Sequence, residues 1–262
     1  LAGALLLMLP ISTRAPGGAG FLEALFTATS ATCVTGLVVH DTMQYWSEFG
    51  QAVILLLIQI GGMGVVTVAV AIFIFSGKRI GLKQRWVMQE SIAAPQVGGI
   101  VRMTGFILRA TVLMEGVGAA LLALRFCPEM GFLKGLWNAV FHAVSAFCNA
   151  GFDVLGRESE YISLCNYNGV PIVMYTIMAL IVVGGLGFVV WKDIASYKSS
   201  KKLTLQSRVV LSMTALLILS GALFFWAYEW NNTMSGLSFG EKITAGLFQS
   251  VTCRTAGFNS ID

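Results

Sequence analysis

The chain has 262 residues, a formal net charge of +4, 56% hydrophobic residues and only 11% charged ones, and its mean hydropathy is +0.77. Soluble domains carry roughly a quarter charged residues, so this composition excludes a soluble enzyme and points to a multi-pass protein of the cell membrane. The small positive charge gathers on two linkers beside helix ends, which excludes a nucleic-acid footprint.

In chain order, the first apolar run, LAGALLLMLPI from Leu1 to Ile11, is about half as long as a membrane span. It reads as the outer end of a cut helix. A signal-peptide core is the competing reading, but no basic segment precedes the run and no convincing small-residue cleavage site follows it. Apolar segments at 50–75, 105–126, 170–191 and 209–228 are each near or above the roughly 20 residues that cross the hydrocarbon core as a helix. A closed β-barrel would instead need ~10-residue alternating segments, and none is visible.

Three shorter apolar segments, 21–31, 136–147 and 239–251, cannot cross but can form re-entrant half-helices. The third begins with the capping box Ser238-Phe-Gly-Glu241, in which each side chain can satisfy an orphan amide. Each segment ends in a polar, glycine-bearing stretch: ATCVTGLVVH (31–40), AFCNAGFDV (146–154) and TCRTAGFNS (252–260). Their glycines, Gly36, Gly151 and Gly257, recur about every 110 residues, which is an internal repeat. Gln59-Ile-Gly-Gly-Met-Gly64 is echoed by Val183-Gly-Gly-Leu-Gly187; close helix packing in lipid is the first reading of these glycines, ahead of a direct role in transport.

The predicted fold is an all-α polytopic membrane protein of repeated helix–re-entrant pore loop–helix units. Residues 1–75 form a first pore repeat with its N-terminal helix cut short, and 104–191 a second. Residues 209–262 form a third that stops after its pore loop, so the sequence is expected to be cut at both ends. Between the repeats, the linkers 76–103 and 192–208 hold ten of the 17 Lys and Arg residues but only Glu90 and Asp193 as acids. By the positive-inside rule both linkers are cytoplasmic. The linker bases can hold inner-leaflet lipid or dock a partner, lipid being the default.

Irregular backbone survives at membrane depth only where protein buries it or it lines a wet cavity. Several such loops meeting on one axis would aim backbone carbonyls at a partly dehydrated monovalent cation. Glycine serves there because φ > 0 costs it nothing and it allows close approach. The half-helix C-termini, each carrying roughly half a negative charge, favour a cation at the same place.

The stretches FLEALFTATSATCVTGLVVHDT, FHAVSAFCNAGFDV, VVGGLGFVVWKDI and FQSVTCRTAGFNSID resemble the membrane subunit of Trk/Ktr/HKT-type potassium transporters, most of all the Ktr branch. The resemblance covers nearly the whole chain. It implies a pseudo-fourfold pore for potassium uptake, a homodimer with one pore per subunit, and a cytoplasmic nucleotide-binding ring as the gating partner. Carried over residue by residue, the potassium filter strands are Val34-Thr35-Gly36, Asn149-Ala150-Gly151 and Thr255-Ala256-Gly257. A fourth strand and the inner gating loop have no counterpart in this sequence. No cofactor is expected in the chain itself; potassium is the substrate, and the residues do not decide between sodium coupling, proton coupling and channel-like flux.

Other side chains have two readings each. Asp41, Asp153 and Asp262 follow the filter glycines closely and form either an acidic vestibule that concentrates cations or ordinary solvated loop acids. Arg254 beside a cation filter is expected to be a paired structural strut, with Cys33 and Cys148 as further filter support. The thiols of Cys33, Cys148 and Cys253 raise a soft-metal site as an alternative. Cys253 stands four residues before its glycine and the other two stand three, which argues against it. His142, Cys148 and Asp153 resemble a nucleophile set, but only one repeat has the histidine, so an enzyme is not expected. Glu115 is expected to face protein and Arg109 to snorkel. Cys127 and Cys165 are left open as a disulfide.

Overall fold

The computed structural model describes residues 1–64, 68, 100–156 and 160–261. Among the described residues the protein is all-helical, with one isolated bridge between Thr13 and Trp46. The short helix α1 (Ala2–Leu7) packs on the half-helix α2 (Phe21–Cys33) and on α4 (Glu48–Met63). Between α2 and α4 lies the single turn α3 (Thr42–Tyr45), whose first amides are satisfied by the Asp41 side chain. The second unit comprises α5 (Ile100–Met130), the half-helix α6 (Phe132–Phe147) and α7 (Pro171–Gly185), continued by α8 (Phe188–Ser200). The third comprises α9 (Leu205–Glu229) and the half-helix α10 (Phe239–Thr255).

Local chemistry explains the ends. Glu241 accepts from the Ser238 amide at 2.7 Å, as the capping box predicts, and Glu23 repeats the contact on the Gly20 amide at 3.1 Å at the start of α2. The joint between α5 and α6 is the single residue Gly131 with φ 84°, a conformation that favours glycine. It turns α6 back along α5, and Gly135 then lies directly against the backbone of Cys127. Pro171 opens α7 at the first helical position, where its missing N–H costs nothing.

Among the described residues two helices, Met103–Met130 and Leu205–Glu229, are long and apolar enough to cross a membrane alone. The apolar segment expected to span at 170–191 is bent: α7 and α8 meet at 100°. The cause is Gly187 at φ 86°; Gly64 adopts φ 80° at the matching place in the first unit, ending α4 at Met63. The remainder of the expected span 50–75, and most of the linker 76–103, lie outside the described residues. The first and third half-helices run past their expected ends, to Cys33 and Thr255, while the second ends at Phe147 as expected and starts earlier, at Phe132.

At the centre sits α6, with Phe141, Ala143, Val144, Ser145, Ala146 and Phe147 all buried. It belongs to both cores. On one side Phe147 joins Phe126, Ile177, Phe248 and Phe258, and on the other Phe141 joins Trp46, Ile54, Ile58 and Phe152. By contrast α9 leaves Leu216, Leu219, Leu223 and Phe224 about half or more exposed, between 57% and 62%. Lipid tails are as apolar as leucine, so such a face costs nothing in a bilayer and close packing by small residues carries the assembly. Gly61 and Gly184 do this: a Cβ on Gly61 would collide with the Thr32 carbonyl, and one on Gly184 with the Phe147 carbonyl. In the first two units the second helix is thereby seated on the C-terminus of its own half-helix.

Candidate ion-selectivity site

The half-helices α2 and α6 end in the same way. Val34 at φ 57° and Asn149 at φ 59° take the left-handed conformation. The next amides close a six-residue ring, Thr35 N–H to the Ser30 carbonyl at 3.0 Å and Ala150 N–H to the Ser145 carbonyl at 2.7 Å. This Schellman closure satisfies carbonyls that a helix end leaves orphaned. For a β-branched valine the left-handed region is strained, at a cost of the order of 1–3 kcal/mol. The third end differs: α10 continues through Thr255, Ala256 stays right-handed at φ −91°, and the closing bond is Gly257 N–H to the Thr252 carbonyl at 3.2 Å.

Each strand then passes through its glycine, with φ of 72° at Gly36, 70° at Gly151 and 86° at Gly257. The three strands meet. A Cβ on Gly36 would lie 2.5 Å from the Ala150 carbonyl oxygen and 3.4 Å from that of Ala256, and one on Gly151 would collide with the Ala256 oxygen. At Gly36 and Gly151 a carbonyl of another strand therefore faces the bare Cα and no larger residue fits, whereas a Cβ on Gly257 would meet no atom within 4 Å. Asn149 and Thr255 are also joined directly, the Thr255 hydroxyl lying 2.8 Å from Asn149 Oδ1.

All three glycines open onto one cavity of about 170 Å³, lined also by Val38, Asp41, Asp153, Tyr161, Ser163 and Asn259. Asp41 is no solvated loop acid: it is 6% exposed, and its carboxylate accepts from the amides of Met43 and Gln44, both at 2.9 Å, and of Tyr161, also at 2.9 Å. Asp153 lies in the connection after its glycine. Burial pushes its carboxyl up to about 6, opposed by the Leu155 amide and reinforced by the charge of Asp41. The third vestibule candidate, Asp262, lies outside the described residues.

The supporting residues separate. Cys148 packs against Gly62, with its Sγ 4.0 Å from Glu115 Oε1, and Glu115 accepts from Gln59 Nε2 at 3.0 Å. Glu115 thus faces protein, while Arg109 on the same helix is exposed. Cys33 and Cys253 are exposed, and no three of the described His, Cys, Asp and Glu residues cluster as metal ligands. Cys127 and Cys165 are not joined by a disulfide. Arg254 stands in the last turn of α10, where its charge offsets the negative helix end; the partner expected for it is not found among the described residues. His142 is fully buried among the rings of Phe126, Phe141 and Phe258, its Nδ1 2.8 Å from the Asn138 carbonyl. It is a packing residue, remote in kind from a nucleophile set.

Sequence reasoning missed Ser30, Ser145 and Thr252. Their hydroxyls bond the carbonyls of Leu37, Phe152 and Phe258, the residues directly after the three glycines. A signal was present for two of them: Ser-x-x-Cys near the end of each half-helix marks Ser30 and Ser145, but in the third it marks Ser250 in place of Thr252.

An all-helical membrane protein whose glycine loops converge beneath an acidic cavity is built as a cation transporter is built. The chain belongs to the family described as TrkH, cation transport protein, whose profile matches residues 12–262. It is 43% identical over its full length to the potassium/sodium uptake protein NtpJ of Enterococcus hirae, and 42% identical over 99% of its length to the Ktr system potassium uptake protein B of Bacillus subtilis. It spans 57% of the length of each of these relatives. The crystal structure of the potassium transporter TrkH from Vibrio parahaemolyticus shares its fold with a TM-score of 0.61 at 17% identity, over 93% of this chain and 46% of that one.

Proposed function

We propose that this chain contributes three strands of a potassium-selective filter to an uptake pathway across the cell membrane. Val34-Thr35-Gly36, Asn149-Ala150-Gly151 and Thr255-Ala256-Gly257 supply the carbonyls that replace the ion's hydration shell. The observation that carries this reading is the approach of the Ala150 and Ala256 carbonyls to the bare Cα of Gly36 and Gly151. The cavity holding Asp41 and Asp153 is the outer mouth, where negative charge raises the local cation concentration. Sodium enters as a coupling or modulating ion, a reading supported by the name of the Enterococcus hirae relative. The repeats 1–75, 104–191 and 209–262 are the units of the pore. The reading extends to a homodimer gated from the cytoplasm by a nucleotide-binding ring, as the resemblance to the Ktr branch implies.

The test is Gly36→Ser in the full-length protein, with potassium and sodium uptake measured separately in cells lacking other potassium uptake. The added side chain meets the Ala150 carbonyl, so potassium preference should fall about tenfold or more while the protein still reaches the membrane. An unchanged preference removes the filter assignment.

A further inference from the structure

The three glycine strands differ in sequence, yet one contact recurs behind each of them. The Ser30 hydroxyl donates to the Leu37 carbonyl at 2.7 Å, that of Ser145 to Phe152 at 2.6 Å, and that of Thr252 to Phe258 at 2.9 Å. All three hydroxyl residues are buried, at 4%, 0% and 2% exposure. The same residue also closes the helix end, because its carbonyl accepts the amide of Thr35, Ala150 or Gly257. One residue therefore grips its strand at two points. In the first two units the grip brackets the glycine, and in the third it starts at the glycine itself.

This use of a hydroxyl is not the default for a helix. Ser and Thr inside helices ordinarily bond back to the carbonyl one turn before, and the neighbouring Thr29, Thr32 and Thr244 do so, on Leu25, Ala28 and Gly240. Ser30, Ser145 and Thr252, which face the strands, reach forward instead. The third unit makes the point most sharply, because one extra residue stands between its cysteine and its glycine: Cys253-Arg-Thr-Ala-Gly257 against Cys33-Val-Thr-Gly36 and Cys148-Asn-Ala-Gly151. The insertion lengthens α10 and rotates its last turn relative to the strand. Ser250, which matches Ser30 and Ser145 in distance from the cysteine, now turns away to the Ile218 carbonyl at 2.7 Å. Thr252 takes over, and the forward bond to the residue after the glycine is kept.

We propose that Ser30, Ser145 and Thr252 are the positioning residues of the filter: by taking the carbonyl just beyond each glycine, they fix which carbonyls remain free to face the ion and at what spacing. The inference rests on the filter reading above and adds to it residues that touch no ion. A strand held only at its helix end can swing about its glycine, where φ > 0 gives wide freedom. A strand gripped at both ends presents its carbonyls already oriented and need not order them when the ion arrives. Selectivity between ions of one charge depends on that spacing and its stiffness.

Thr252 offers the cleanest test, because Thr252→Val removes the hydroxyl at nearly constant shape and Thr252→Ser keeps it. In the full-length protein, with membrane levels and melting temperature measured alongside, Thr252→Val should lower the potassium-over-sodium uptake ratio roughly fivefold, the worth of one hydrogen bond. Potassium KM should rise with it. Thr252→Ser should remain within about twofold of the parent. Ser145→Ala should act as Thr252→Val does, and Ser30→Ala serves where either protein fails to reach the membrane. A parental ratio in folded Thr252→Val and Ser145→Ala proteins overturns the proposal, and so does a lowered melting temperature with the ratio unchanged. Gly36→Ser run in parallel separates the two levels: if it erodes the ratio and the hydroxyl variants do not, the positioning role fails while the filter stands. If none of them moves the ratio, the filter reading itself has failed.

Discussion

A proton on Asp153 removes one of two negative charges that face the cavity above Gly151, where Asp41 supplies the other. Burial sets its carboxyl at about 6, so it is mostly ionised at pH 7 and mostly protonated at pH 5. The sign follows: acidification across that window should weaken apparent potassium affinity, by about two- to threefold for one screened charge near the path. Asp153→Asn should start at the weaker affinity and show a flat profile. An Asp153→Asn protein that keeps the acid sensitivity would assign it to another group. At this scale the sequence was partly legible. Proximity to a glycine made Asp41 and Asp153 candidates for an acidic vestibule, with solvated loop acids as the other reading, but it could not reveal that Asp41 spends its oxygens on the amides of Met43, Gln44 and Tyr161. Tyr161 lies 120 positions away in the chain, and no local pattern encodes a partner at that distance.

Among the elements, the Gly-Gly-x-Gly segments show how one motif holds two different demands. In Val183-Gly-Gly-Leu-Gly187 the first glycine seats the helix on the Phe147 carbonyl, and the last, at φ 86°, ends α7 and sends the chain off at 100°. Composition announced small residues for packing; it could not separate contact from bend, because φ is set by where the following segment must go. Adjacent substitutions distinguish the roles. A Cβ on Gly184 meets the Phe147 carbonyl, whereas one on Gly185 meets only Asn149 Nδ2 at an ordinary 3.8 Å. Gly184→Ala should therefore destabilise the purified protein by about 1–3 kcal/mol through overpacking. Gly185→Ala should be neutral or slightly stabilising, since alanine is worth up to ~1 kcal/mol over glycine in a helix. Thermal unfolding in detergent reads both, and equal shifts would contradict the seating of α7 on α6. The half-helices themselves were legible, since their length and the Ser238–Glu241 box are local properties. The extra residue at Arg254 was visible too, as the offset of Cys253 from its glycine, but its consequence was not. Whether an insertion bulges the loop or extends the helix depends on what the helix packs against.

For the whole molecule, the arrangement has a direction, and the charge pattern assigns it. By the positive-inside rule we propose that the glycine strands, the cavity with Asp41 and Asp153, and the capped starts of α2 and α10 lie toward the outer side of the membrane and the basic linkers toward the inner. The inner assignment rests on Lys78, Arg79, Lys83, Arg85 and Arg102 in one linker and Lys192, Lys198, Lys201, Lys202 and Arg208 in the second, because cytoplasmic loops retain their cations during insertion. Asp193 shows that the second linker is also a built joint: its carboxylate accepts from the Thr204 amide at 2.8 Å and hydroxyl at 2.9 Å, tying the middle of α8 to the start of α9. The orientation is testable without any assay of transport. Lys83→Cys and Lys201→Cys, each in the full-length protein, should stay unlabelled by a membrane-impermeant maleimide in intact cells and become labelled once the membrane is permeabilised. The parent protein, treated in parallel, accounts for the five native cysteines. Labelling of either position from outside would invert the protein, placing the Asp41–Asp153 cavity at the cytoplasmic face and aiming the half-helix C-termini outward. An uptake filter fed through an acidic outer mouth could not then be built from these loops.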